Sequence, residues 1–172
     1  VNLINSVFKT VGIKKRYFPS PYKTHLGAQE LIDIIGEEKF KSYYSFAFIR
    51  NPWDWQVSIY KYALKSINHR QHELIKSFGN FENYIDWRCN NEVRLQRDFI
   101  YTKTGELLVN FVGRFENIDD DFNKICHELK IETKLPKMNV SNTIPYQEFY
   151  NEKTKSMVQE AFKEDIELFN YS

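Results

Sequence analysis

Arg50 and Ser58 are the two side chains in this sequence best suited to hold an anion together. A guanidinium is a planar fork that can bind a phosphate through two parallel hydrogen bonds. A serine hydroxyl can add a further contact to the same oxygens. Each residue has an ordinary alternative. The arginine can close the end of a sheet on a carboxylate, and the serine can bond to its own helix backbone. Taken with the order Arg50-Asn51-Pro52-Trp53-Asp54 between them, the pair favours anion binding.

The elements around the pair would position it. Phe46 to Ile49 is a short apolar run, as expected of a strand buried on both faces. After Arg50 and Asn51 comes Pro52, whose fixed φ and missing N–H suit the first position of a helix. Asn51 is the expected N-cap, and Asp54 puts negative charge in the first turn. Trp53, Val57, Tyr60, Leu64 and Ile67 recur at helical spacing, which predicts a helix to about Lys65. In open α/β sheets, ligands sit beyond the carboxyl ends of strands and against helix N-termini. Arg50 occupies that place, and Ser58 lies beside the apolar stripe, able to turn inward.

Residues 1–11 carry apolar positions at helical spacing, ended by Gly12. Lys14, Lys15 and Arg16 form a basic run, either a solvated loop or an attraction for an acidic glycan or nucleotide. Pro19-Ser20-Pro21 reads as an extended connector, and a helix then begins near Thr24 or His25 and stops at Gly36. His69 and His72 are three apart, but with no further ligand pattern they read as an exposed polar face and not a metal site. Gly79-Asn80 breaks the chain before a short helix with Phe81, Tyr84, Ile85 and Trp87. Thr104-Gly105 is a turn, and residues 107–112 are apolar enough for a second core strand. Asp119, Asp120 and Asp121 open a helix with the stripe Phe122, Ile125, Cys126 and Leu129. Residues 135–142 form a loop, and the tail from Tyr146 reads as one or two helices packed on the sheet.

Composition narrows the function classes. The chain has 172 residues, enough for one domain with a core, and its 16% aromatic content argues against disorder. A net charge of +1 is not the basic footprint of a nucleic-acid binder. The two cysteines, Cys89 and Cys126, make no disulfide framework and read as buried thiols. No run is long and apolar enough to span a membrane, so no membrane association is visible in this chain. No signal peptide is visible either. Few cysteines and no visible membrane segment fit a bacterial cytoplasmic location.

Arg50-Asn51-Pro52-Trp53-Asp54, with Val57, Ser58 and Tyr60, resembles the 3′-phosphate-binding motif of the carbohydrate sulfotransferases. These are the Golgi glycan sulfotransferases and their bacterial relatives, so the resemblance implies a Golgi lumen fragment as the alternative to a bacterial cytoplasmic location. Further stretches are similar to the family: the pattern from His25 to Leu31, the segment from Val112 to Ile118, Leu135-Pro136 with Asn139 and Ser141, and Asp165-Ile166 with Phe169-Asn170-Tyr171. The likeness runs from about His25 to Tyr171.

The resemblance implies an α/β fold, a P-loop-NTPase-like parallel sheet flanked by helices. It implies PAPS as co-substrate, PAP as product, no metal, and a carbohydrate or other hydroxyl acceptor. Arg50 and Ser58 would hold the donor's 3′-phosphate, with Arg114 as a second cation for donor phosphate. The rival role for Arg114 is an ion pair with Glu116 or with the acidic cluster at 119–121. His25 would take the acceptor's proton, imidazole being suited to general base work near neutral pH, and Glu30 is the second candidate. The alternatives are a histidine that caps or packs at a helix start and a solvated or structural glutamate. Gln96 would lie near the acceptor pocket, or else on a polar surface strand.

Two departures stand out. Trp55 stands where the family usually has arginine, and no Gly-x-x-x-x-Gly-Lys-Ser/Thr or Pro-Lys-x-x-Gly-Thr loop occurs. The fold is thus expected to lack its first strand and phosphate loop here, with residues 1–172 an N-terminally incomplete single domain. Two other functions compete with the sulfotransferase. One is a non-catalytic nucleotide- or glycan-binding relative. The other is a nucleotide-dependent phosphotransferase, against which the Arg50 and Ser58 pair argues.

Overall fold

The computed structural model describes residues 25–136 and 144–172. The expected helix over residues 1–11, the basic run, the Pro19-Ser20-Pro21 connector and most of the 135–142 loop lie outside the described residues. In chain order the elements are α1 (Ala28–Ile35), α2 (Glu37–Lys41), β1 (Phe46–Ile49), α3 (Pro52–Lys65), α4 (His72–Ser77), α5 (Phe81–Asn91), β2 (Phe111–Arg114), α6 (Ile118–Glu128), α7 (Glu152–Ala161) and α8 (Lys163–Leu168). The class is α/β, and the described residues fall into two compact units, one within Val1–Ile49 and Asp98–Val140, the other within Arg50–Arg97 and Ser141–Ser172.

The first unit contains the sheet. β1 and β2 run parallel, pairing Phe46 with Phe111, Ala47 with Val112, Phe48 with Gly113 and Ile49 with Arg114. Among the described residues the sheet has these two strands. The register has a steric basis. A Cβ at position 113 would come within 2.5 Å of the Phe48 ring, so only glycine leaves that ring its place. A polar clasp precedes the pairing: Asn110 Oδ1 accepts from both the Ser45 N–H and the Ser45 hydroxyl at 2.9 Å.

Two strand expectations change. β2 starts at Phe111, because Leu107 is taken by a single antiparallel bridge to Tyr101 around Gly105, whose φ is +88°. β1 is not buried on both faces, since Phe46 is exposed and only Ile49 is buried. α1 ends at Gly36, with φ +87°, a conformation that suits a residue without a Cβ. In α6, Phe122, Ile125 and Cys126 are buried as expected, but Leu129 falls beyond the helix and is exposed.

The second unit is helical. Asparagine caps start three of its helices. Asn51 Oδ1 accepts from Trp53 N and Asp54 N, Asn80 Oδ1 from Asn83 N, and Asn151 Oδ1 from Thr154 N. Each cap satisfies N–H groups that the first helical turn leaves open, worth about 1 kcal/mol apiece. The core joins Trp53, Val57 and Ala63 of α3 to Ile75, Phe81, Tyr84, Ile85, Val158 and Phe162. Burying side chains of this size contributes about 1.5–3 kcal/mol each. Tyr150 donates its hydroxyl to the Trp53 carbonyl at 2.8 Å, and Trp53 donates its indole N–H to the Lys155 carbonyl at 3.1 Å. These bonds tie the segment from Tyr146 onward to α3.

The apolar stripe on α3 is shorter than its spacing suggests. The helix stops at Lys65, and Leu64 and Ile67 are exposed. Gln56 takes a stripe position, fully buried, and accepts the Tyr84 hydroxyl at 3.1 Å. No helix among the described residues is long and apolar enough to cross a membrane.

Candidate functional site

Arg50 follows directly on Ile49, and Asn51 caps α3 immediately after it. In this turn Pro52 has no N–H to donate, and the Asn51 side chain serves as the cap. Gln96 supports the turn from a distant segment. Its Oε1 accepts from the Arg50 N–H at 2.8 Å, and its Nε2 donates to the Arg50 carbonyl at 2.8 Å. One amide side chain therefore grips a single residue's main chain from both sides.

The Arg50 side chain is held over the start of α3. Its Nε donates to Asp54 Oδ2 at 2.6 Å, and its Nη1 donates to Ser58 Oγ at 2.9 Å. Asp54 and Ser58 are four residues apart and share one helix face. The arginine and aspartate side chains are both mostly buried, at 21% and 26% exposure. The aspartate balances the cation's charge and fixes the plane of the fork. Trp53 N and Asp54 N are already turned onto Asn51 Oδ1. An anion arriving here would thus meet the guanidinium and the hydroxyl ahead of the helix N–H groups.

Behind Gln96 stands Asp165. Its Oδ2 accepts from the Gln96 N–H at 2.7 Å, and its Oδ1 accepts from the Arg97 N–H at 3.0 Å. The residue is fully buried, so the carboxylate depends on such donors to offset its lost hydration. Beside it, the Arg97 guanidinium pairs with Glu164. Asp165, Gln96, Arg50 and Ser58 therefore form one unbroken series of hydrogen bonds within the helical unit.

The other expected site residues lie as follows. His25, in the sheet unit, is exposed, and its backbone adopts φ +66°, rare for a residue with a side chain. Glu30 accepts the Gly27 N–H at 2.9 Å, a capping contact at the start of α1. Arg114 ends β2, and its main-chain N–H donates to Asp121 Oδ2 at 2.7 Å. Gln96 is on no surface strand, and both ends of its amide are engaged by Arg50. The expected exposed face at His69 and His72 needs correction. His72 is buried on α4, with Nδ1 at 2.8 Å from the Ala63 carbonyl. Among the described residues no cluster of three His, Cys, Asp or Glu side chains could hold a metal.

Titratable groups in the helical core are unsuited to nucleophilic work. Burial pushes the Cys89 thiol up to about 11 and raises the phenols of Tyr84 and Tyr150. These groups stay protonated at neutral pH.

Sequence reasoning assigned no role to Asp165, although a signal was present. Val158, Phe162, Asp165 and Phe169 share one stripe at helical spacing, and all four are buried. A carboxylate on an apolar stripe needs partners and therefore marks a built contact.

The profile of a family described as the sulfotransferase family matches residues 13–172. An uncharacterized protein of Archaeoglobus fulgidus is 29% identical over 109 residues, the match covering 59% of this chain and 79% of that protein. No solved structure matches the chain.

Proposed function

This chain belongs to the sulfotransferase family, and from that premise we propose that it moves a sulfuryl group from PAPS to a hydroxyl of a carbohydrate acceptor. The observation that carries the proposal is the convergence of Arg50 Nη1 and Ser58 Oγ at 2.9 Å. Those two groups hold the 3′-phosphate of the donor, far from the reacting bond. The fork can keep one N–H on Asp54 while it shares others between the serine and a phosphate oxygen. Arg114 supplies a second positive charge for donor phosphate.

The chemistry asked of the protein is mainly positioning and charge stabilisation, as in phosphoryl transfer. The imidazole of His25 takes the proton of the acceptor hydroxyl as that oxygen bonds to sulfur. The bond from sulfur to the bridging oxygen breaks, and its electron pair leaves with PAP. Glu30 is the base in reserve, although its carboxylate is already engaged as a cap.

A second reading is a non-catalytic nucleotide- or glycan-binding relative. Trp55 favours it. At the position where the family usually has arginine, this side chain packs edge-on against Phe162, with ring centres 6.4 Å apart. Incubation with PAPS and a panel of sugar acceptors separates the two. Acceptor-dependent release of PAP with sulfated product supports the enzyme. PAP binding without release supports the binding relative. Neither binding nor release overturns the donor site.

A further inference from the structure

We propose that Gln96 and Asp165 are positioning residues for the anion-binding arginine: the buried carboxylate sets the glutamine, and the glutamine sets Arg50. The proposal rests on the assignment of Arg50 and Ser58 to the donor's 3′-phosphate.

The geometry carries the argument. Gln96 is 46 residues from Arg50 in sequence, yet both of its polar side-chain atoms converge on that one residue's N–H and carbonyl at 2.8 Å. A glutamine side chain has several free torsions and would not hold a peptide firmly unless its own main chain were fixed. Asp165 fixes it, through successive N–H groups of Gln96 and Arg97 at 2.7 and 3.0 Å. The peptide so gripped is the one whose guanidinium reaches Ser58 at 2.9 Å. The support thus ends on the residue whose placement decides where an anion is met. An error of about 1 Å at such a group can cost a hundredfold in a positioned site.

A purely structural role would lower stability and affect all ligands alike. The test therefore compares PAP with 5′-AMP, which lacks only the 3′-phosphate, by calorimetry alongside the thermal midpoint. Wild-type chain should bind PAP more tightly than 5′-AMP. Gln96→Leu should weaken PAP by about tenfold or more, the scale of a hydrogen bond to a charged group, and leave 5′-AMP unchanged. In an Arg50→Ala background the same substitution should cost no further PAP affinity. Adding Asp165→Asn to Gln96→Leu should leave the PAP to 5′-AMP ratio where Gln96→Leu put it, even as the midpoint falls.

Should Gln96→Leu fail to fold, Gln96→Glu serves instead. It keeps the acceptor for Arg50 N–H and sets an oxygen against the Arg50 carbonyl, so the same fall in the ratio is expected. Equal losses for PAP and 5′-AMP, or a full Gln96 effect in the Arg50→Ala background, overturn the positioning role and leave the donor site standing. A wild-type chain with no preference for PAP overturns both.

Discussion

Arg50 donates from Nη1 to the Ser58 hydroxyl at 2.9 Å, although the two residues are separated by almost two turns of helix. Asp54, one turn closer, takes Nε at 2.6 Å, so the fork is set before any ligand arrives. Preorganisation of this kind lowers the ordering cost of binding. Arg50→Ala should weaken PAP binding by about 1.5–3 kcal/mol, the range for hydrogen bonds to charged groups, and Ser58→Ala by about 0.5–1.5 kcal/mol. Titration calorimetry with PAP checks both. Unchanged affinity in Arg50→Ala removes the donor assignment.

His25 calls for a different pattern of loss. A general base contributes about 10²–10⁴-fold to rate and little to donor affinity. The backbone at His25 has φ +66°, a conformation asparagine tolerates better than most residues. His25→Asn therefore removes the base with less strain than alanine would add. Turnover at saturating PAPS should collapse by that factor while PAP affinity holds. Full turnover in His25→Asn would reassign the base.

Where structure was set by neighbours in sequence, it was legible. Asn51 followed by Pro52 marked the start of α3, and Gly36 and Gly79, at φ +87° and +74°, marked breaks that need a residue without a Cβ. The Arg50 and Ser58 pair was legible because both sit on one helix and its preceding turn. Contacts between distant segments were not. The start of β2 depends on the pairing of Leu107 with Tyr101 and of Phe111 with Phe46, which no local pattern in residues 107–112 encodes. The inward turn of His72 depends on a carbonyl nine residues away, at the end of α3. The grip of Gln96 on Arg50 was not legible either, since its amide meets a main chain 46 residues earlier.

Asp121 makes stability depend on acid. Burial opposes its charge, but the Arg114 N–H, the Lys124 ammonium and the nearby charges outweigh burial and hold the carboxyl below its ordinary value. A carboxyl lowered in the folded state stabilises the fold fully above its unfolded value, about 3.9. That contribution fades as pH falls through the lower folded value. Asp121→Asn should cost about 1–3 kcal/mol at neutral pH, and the gap between variant and parent should narrow steadily below about pH 4. Urea unfolding at a series of pH values reads the difference. A gap of constant size from pH 7 to pH 3 would show that the charge contributes nothing.

Glu92 is the partner on which a buried cation depends. Arg88 is 5% exposed, and its Nη1 lies 3.1 Å from Glu92 Oε2. The same carboxylate accepts from Gln71 Nε2 at 2.6 Å and pairs with Arg94 Nη2 at 2.9 Å. Removing one member of a buried pair leaves the other charged and desolvated, whereas replacing both with apolar groups does not. The pair is open to solvent on the glutamate side, at 20% exposure, so the full buried-pair penalty does not apply. Glu92→Leu should then cost about 1–3 kcal/mol, and Arg88→Met less, because the carboxylate keeps Gln71 and Arg94 as partners. The double variant should cost less than the sum, because neither partner remains to be left unpaired. Urea unfolding of the four proteins in the cycle measures the coupling. Strict additivity would mean that Arg88 is held by its packing and not by the carboxylate.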